Sequence, residues 1–155
     1  FHPRYCDTRK TYEYHIQNGK IPLPTERLYS HLVIFPLDVE EMQEAGQYLV
    51  GTHDFKSFCA SKTQAQTTVR TVTGIEVETH SLSEGEYPSQ KVIIRVTGEG
   101  FLYNMVRIIS GTLIKVGLGV YPPEHVKEIL EACDRSKAGE TVPAKGLFLK
   151  KIEYL

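Results

Sequence analysis

Between Phe101 and Ile114, in the stretch FLYNMVRIISGTLI, Arg107 is the only charged side chain, and Met105, Val106, Ile108 and Ile109 surround it. Apolar residues lie nearly all round this segment, which reads as a buried helix. Burying a guanidinium is costly unless a carboxylate or phosphate meets it, and arginine does not escape by losing its proton. Arg107 is therefore expected to meet either an acidic residue in a site or a nucleic-acid backbone. The alternative is an arginine whose stem packs on the core while its head reaches water.

At 155 residues the chain corresponds to one domain, spanning residues 1–155, and is long enough to bury a core. Eighteen basic and nineteen acidic residues give a formal charge of -1, so no global charge points to nucleic acid. A local basic groove is compatible with that total. No apolar run is long enough to span a bilayer as a helix, so no membrane partner is expected. Cys6, Cys59 and Cys133 fit neither a disulfide framework nor a zinc motif, and free thiols in a reducing cytosol account for them. The histidines are scattered, and no metal site is expected. The chain begins at Phe1 without methionine and is strand-like within a few residues. It is expected to be a piece of a longer protein.

Tyr12, Tyr14 and Ile16 alternate with Glu13 and His15, as in a half-buried strand, and Asn18-Gly19 marks a turn. Asp38 with Glu41 predicts a helix start, with Val39, Met42 and Ala45 or Leu49 as its stripe and Gly51 as its end. Residues 52–66 read as a packed loop. Val69 to Glu78 and Lys91 to Thr97 are strand-like, with a turn at Glu84 to Ser89, predicting an antiparallel pair. After the Arg107 helix, Pro122 and Pro123 open a shorter one running to Cys133, and GLFLKKIEYL closes as a strand. The fold class is α+β, a mainly antiparallel sheet with helices on one face.

Tyr12 sits where its ring can pack in the core, the commoner role, or stack on a base. The segments FHPRY…KTYEY, GTHDFKSFC, RTV, GFLYNMVRIISGTL and PAKGLFL, in this order and spacing, resemble the tRNA pseudouridine synthase A (TruA) family from Phe1 to Leu155. The resemblance implies a pseudouridine synthase-like fold and a cofactor-independent isomerase that turns uridine into pseudouridine in the anticodon arm of tRNA, working as a homodimer in the cytoplasm. It implies that Tyr12 stacks on the target uracil, that Arg107 pairs with a catalytic aspartate, and that Leu147 lines the uracil pocket. An ion pair with Arg107 would hold that carboxylate ionised. A dry pocket would keep water from the detached sugar.

One departure is pronounced. The family's aspartate lies in a G-R-T-D-x-G-V-H segment, and no such segment occurs here; Asp7, Asp38, Asp54 and Asp134 stand in other contexts. The family carries that segment before FHxR, so the chain is expected to be the C-terminal portion of such a synthase and inactive alone. Arg4, Lys10, Arg70 and Lys145 are candidates for phosphate contacts, although each also fits a solvated surface. Tyr103 and Asn104 flank Arg107 and are candidates for tRNA contact or for shaping the pocket. A different reading is a non-catalytic RNA-binding or dimerisation module, which needs no aspartate. A third, a cysteine hydrolase, would use His53, Asp54 and Cys59. Gly98-Glu99-Gly100 is no dinucleotide fingerprint, because Tyr103 takes the place of the third glycine.

Overall fold

The alternation around Tyr12, Tyr14 and Ile16 forms strand β1 (Thr8–Asn18) in a computed structural model that describes residues 8–60 and 67–155. β1 organises the sheet. Strand β5 (Ser89–Gly98) runs antiparallel along one of its edges. The other edge is shared: the closing strand β6 (Leu147–Tyr154) pairs antiparallel with Thr8 to Tyr14, and the short strand β2 (His31–Val33) pairs parallel with Ile16 to Asn18. Beyond β5 come β4 (Val69–Ser83) and then β3 (Gly51–Asp54), both antiparallel to their neighbours. The path is β2-β1-β5-β4-β3, with β6 beside β1.

Three α-helices accompany the sheet among the described residues. α1 (Val39–Gln47) begins where Asp38 Oδ1 accepts a hydrogen bond from the Glu41 amide at 3.1 Å, the predicted cap. α2 (Met105–Gly117) carries Arg107, and α3 (His125–Ala132) follows. Along β1, Tyr14 and Ile16 point into a core shared with Val92, Ile94 and Val96 of β5, Met42 of α1 and Ile108, Ile109 and Leu113 of α2. Each such side chain, fully withdrawn from water, contributes about 1.5–3 kcal/mol. This core makes α2 a helix enclosed on almost every side; only Arg107 and Lys115 along it escape full burial. None of the helices in the described residues is long and apolar enough to cross a membrane.

The structure adds detail that the sequence pattern lacked. Gly51, expected to end α1, and residues 52–54, expected within the packed loop of 52–66, form β3, and α1 ends at Gln47. α2 starts at Met105, because Asn104 is in the left-handed region with φ 62° and the chain before it is not helical. α3 is confined to His125–Ala132.

The sheet's other face is polar. Arg95 donates from Nε and Nη2 to Glu13 Oε2 at 2.9 and 2.7 Å and from Nη1 to Glu76 at 3.3 Å, and it also meets Glu78. His15 bonds Glu13 at 3.0 Å. Glu26, in the loop over this face, accepts from Lys91 at 2.8 Å and from Ser30 at 2.7 Å and is only 8% exposed. Burial alone would raise the pKa of Glu13 and of Glu26. Hydrogen bonds and positive charge, from His15 and Arg95 for the first and from Lys91 and Ser30 for the second, outweigh it and hold both below the usual carboxylate value. Partly exposed ion pairs contribute little each, so their chief effect is to satisfy polar groups lying against the sheet.

Because both carboxylates titrate lower when folded than when unfolded, the stability they confer is complete above the ordinary carboxylate range and is lost as pH falls through the folded values. Urea unfolding of the natural protein carrying this chain, measured from about pH 6 to about pH 3, should show a falling midpoint. Glu26→Gln should lower the midpoint at pH 6 and flatten that fall.

Candidate active site around Arg107

The segment GFLYNMVRIISGTL is legible residue by residue. Phe101 sets its ring edge-on against Tyr12 of β1, with centroids 5.2 Å apart and planes at 88°. Leu102 and Met105 enter the core, while Tyr103 between them is 70% exposed. Asn104 occupies the cap position of α2 in a left-handed conformation, which asparagine tolerates better than most side chains, and its side chain makes no capping bond. Ser110 and Thr112 bond back to the Val106 and Ile108 carbonyls at 2.8 and 2.9 Å, hiding their hydroxyls inside the helix.

Gly111 lies between them for a different reason. A Cβ there would stand 2.0 Å from the Glu140 carbonyl oxygen. The loop from Gly139 to Pro143 therefore lies directly on α2, and the Gly139 amide donates to Thr112 Oγ1 at 2.9 Å. This contact brings the Val142 carbonyl to Arg107. Arg107 is half-buried; its Nε donates to Val142 O at 2.8 Å and its Nη1 to Asn104 Oδ1 at 3.1 Å. Of the five N–H donors on a guanidinium, these bonds use two. Among the described residues no carboxylate lies within 4.0 Å of Arg107.

The next carbonyl of the same loop is also taken. Tyr14, 0% exposed, donates its hydroxyl to Pro143 O at 2.7 Å. Burial pushes its pKa far up; the charge of Arg107 works against that rise and the charge of Glu140 adds to it. Tyr14 thus remains a neutral donor throughout the physiological range. Leu147 stands directly opposite Tyr14 in the β1–β6 ladder and is half-buried. Gly146 precedes it because the Tyr14 ring passes 2.9 Å from where a Cβ would be. His31 of β2 completes this side with its ring 6.5 Å from that of Tyr14. Burial lowers the His31 pKa, Glu140 opposes that shift and Lys145 reinforces it.

Of the residues singled out from sequence, Arg107 and Leu147 lie beside Tyr14, the first across the adjacent Val142 and Pro143 carbonyls and the second in the β1–β6 ladder; Asn104 is bonded to Arg107, and Tyr12 lies two residues along the same strand, half-buried against Phe101. Tyr14 and His31, which the sequence did not single out for the site, lie beside these residues. The period-two spacing of Tyr14 from Tyr12 was the available signal for the first. Nothing marked the second.

Arg70 is turned onto its own segment, donating to Thr67 O at 2.8 Å and Val69 O at 2.7 Å. Lys10 is half-buried on β1 opposite Gly98 and Ile152, and Lys145 donates to Arg27 O at 3.1 Å. Arg4 lies outside the described residues. His53 Nε2 is bonded to the Val50 carbonyl at 2.9 Å and Cys59 Sγ contacts the Lys56 carbonyl at 3.5 Å. Burial, with the charge of Asp54, raises the Cys59 pKa. A raised thiol without a base is a poor nucleophile.

A family model described as tRNA pseudouridine synthase matches residues 45–155, and the chain belongs to that family. More particularly, it is 47% identical over 99% of its length to the tRNA pseudouridine synthase A of Brevibacillus brevis. It is 44% identical over 99% of its length to the protein of that name from Bacillus subtilis, and 49% over 99% to tRNA pseudouridine synthase A 2 of Clostridium perfringens. The chain spans 60%, 59% and 60% of those three relatives.

Gly111→Ala forces the Glu140 carbonyl off the helix and should destabilise the protein by about 2–4 kcal/mol. Urea unfolding of the variant beside wild type measures the loss.

Proposed function

We propose that the protein carrying this chain isomerises uridine to pseudouridine in tRNA, within the anticodon arm, as a homodimer and without a cofactor. The observation that carries the reading is Arg107: a guanidinium that cannot discharge, braced by Val142 O and Asn104 Oδ1, with its other donors meeting no carboxylate among the described residues. Membership in the tRNA pseudouridine synthase family gives that arrangement its chemistry. In this reading residues 1–155 are one domain, the C-terminal portion of the synthase, and the carboxylate that faces Arg107 is an aspartate outside these 155 residues.

The isomerisation breaks the bond from uracil N1 to ribose C1′ and makes one from C5 to C1′. C5 loses a proton and N1 gains one, so nothing is consumed. Arg107 holds the aspartate ionised by opposite charge. Tyr12 stacks on the uracil, a contact worth about 1–3 kcal/mol per base, and retains the ring while it turns. Leu147 and the ring of Phe101 beside Tyr12 keep the pocket apolar, so that water does not capture the detached sugar. Tyr103, exposed at the mouth of α2, and Lys10 and Arg4 at the start of the chain are positioned in sequence to meet the RNA backbone. A non-catalytic RNA-binding module would use the same aromatic and basic residues but would not depend on Arg107 for turnover.

The test is turnover of a uridine-containing tRNA transcript by the natural protein. Arg107→Ala should lower kcat by about a hundredfold or more, the loss typical of removing one charge-stabilising group from a reacting centre, with the circular dichroism spectrum unchanged. Undiminished turnover would overturn the assignment. Tyr12→Phe should retain most activity, because the ring still stacks. Tyr12→Leu should raise KM and lower kcat/KM by about tenfold or more.

A further inference from the structure

The conformation of Asn104 is out of keeping with its place in the chain. An asparagine at the cap of a helix ordinarily turns its side-chain oxygen onto the backbone N–H two or three residues on. Here the third residue is Arg107, yet Asn104 makes no capping bond. Its backbone is left-handed, at φ 62° and ψ 8°, and Oδ1 instead accepts from the Arg107 side chain at Nη1, 3.1 Å away. The side chain gives up the helix cap and makes one bond to one guanidinium.

The two acceptors on Arg107 have complementary effects. Val142 O occupies Nε, the atom nearest the stem. That bond alone leaves the guanidinium able to swing about its anchor. Asn104 Oδ1 holds Nη1, and with both bonds made the plane is fixed. It also follows which donors remain: both hydrogens of Nη2 and one of Nη1. With Nε occupied, a carboxylate meets this guanidinium through Nη1 and Nη2, which keep three hydrogens between them.

We infer that Asn104 is a positioning residue, which sets the plane of the Arg107 guanidinium so that its Nη1–Nη2 end faces the catalytic carboxylate. The inference rests on the reading of Arg107 as that carboxylate's partner. It assigns Asn104 no contact with the reacting atoms.

Two substitutions separate positioning from a structural role. Asn104→Gly suits the left-handed backbone and removes only the acceptor, so the melting temperature should move by no more than about 4 °C. Its kcat on tRNA should fall by about tenfold with KM unchanged. Asn104→Asp tolerates the same backbone and keeps the bond, but pairs its own charge with Arg107. The melting temperature should hold or rise while kcat falls further than in the glycine variant. Wild-type turnover with undiminished kcat in Asn104→Gly overturns the inference and leaves the proposed function standing. An Asn104→Asp variant as active as wild type overturns it equally. No pseudouridine from the wild-type protein would instead remove the reading on which both rest.

Discussion

A guanidinium stays charged wherever it is placed, and the fold around α2 is arranged to accommodate one. Arg107 sits in a helix otherwise given over to the core, with Ile108 and Ile109 beside it wholly buried. Its charge is met by dipoles: the Val142 carbonyl on one edge and the Asn104 amide oxygen on another. Uncharged acceptors of this kind orient a cation without neutralising it, so its field remains available to an anion entering the site.

The loop that supplies Val142 depends in turn on a missing side chain. Gly111 allows the Glu140 carbonyl to rest on the helix, Thr112 catches the Gly139 amide, and Tyr14 reaches from the sheet to grip the Pro143 carbonyl. Helix, loop and strand are thereby tied at successive backbone atoms, and β6 leaves the loop in register with Tyr14. The aromatic residues of β1 and the arginine of α2 hold fixed relative places because they share this one strap of chain.

Much of this was legible from the residues. Alternation at Tyr12, Tyr14 and Ile16 gave β1, Asp38 with Glu41 gave the start of α1, and the apolar ring around Arg107 gave α2 and its enclosure. What escaped had physical reasons. Gly51–Asp54 is too short and too polar to show a strand period, and it is a strand only because it lies beside β4. β2, three residues long, exists because Asn18 and β1 hold it, through Asn18 Nδ2 to the Val33 carbonyl at 2.9 Å. The onset of α2 was read too early because Phe101 and Leu102 continue the apolar pattern, whereas the left-handed Asn104 decides where helix begins. The partners of Arg107 were hidden more deeply: one is a main-chain oxygen, which carries no signature in a sequence.

That last fact bears on how such a site can vary among related chains. A carbonyl is furnished by every amino acid, so the exposed position 140 can change in chemical identity without loosening the strap, provided the backbone keeps its course, whereas the side chain of Val142 is held in the core. Position 111 has no such latitude, since any side chain lifts the strap away. Latitude at position 140 and its lack at position 111 are therefore two consequences of a single packing contact.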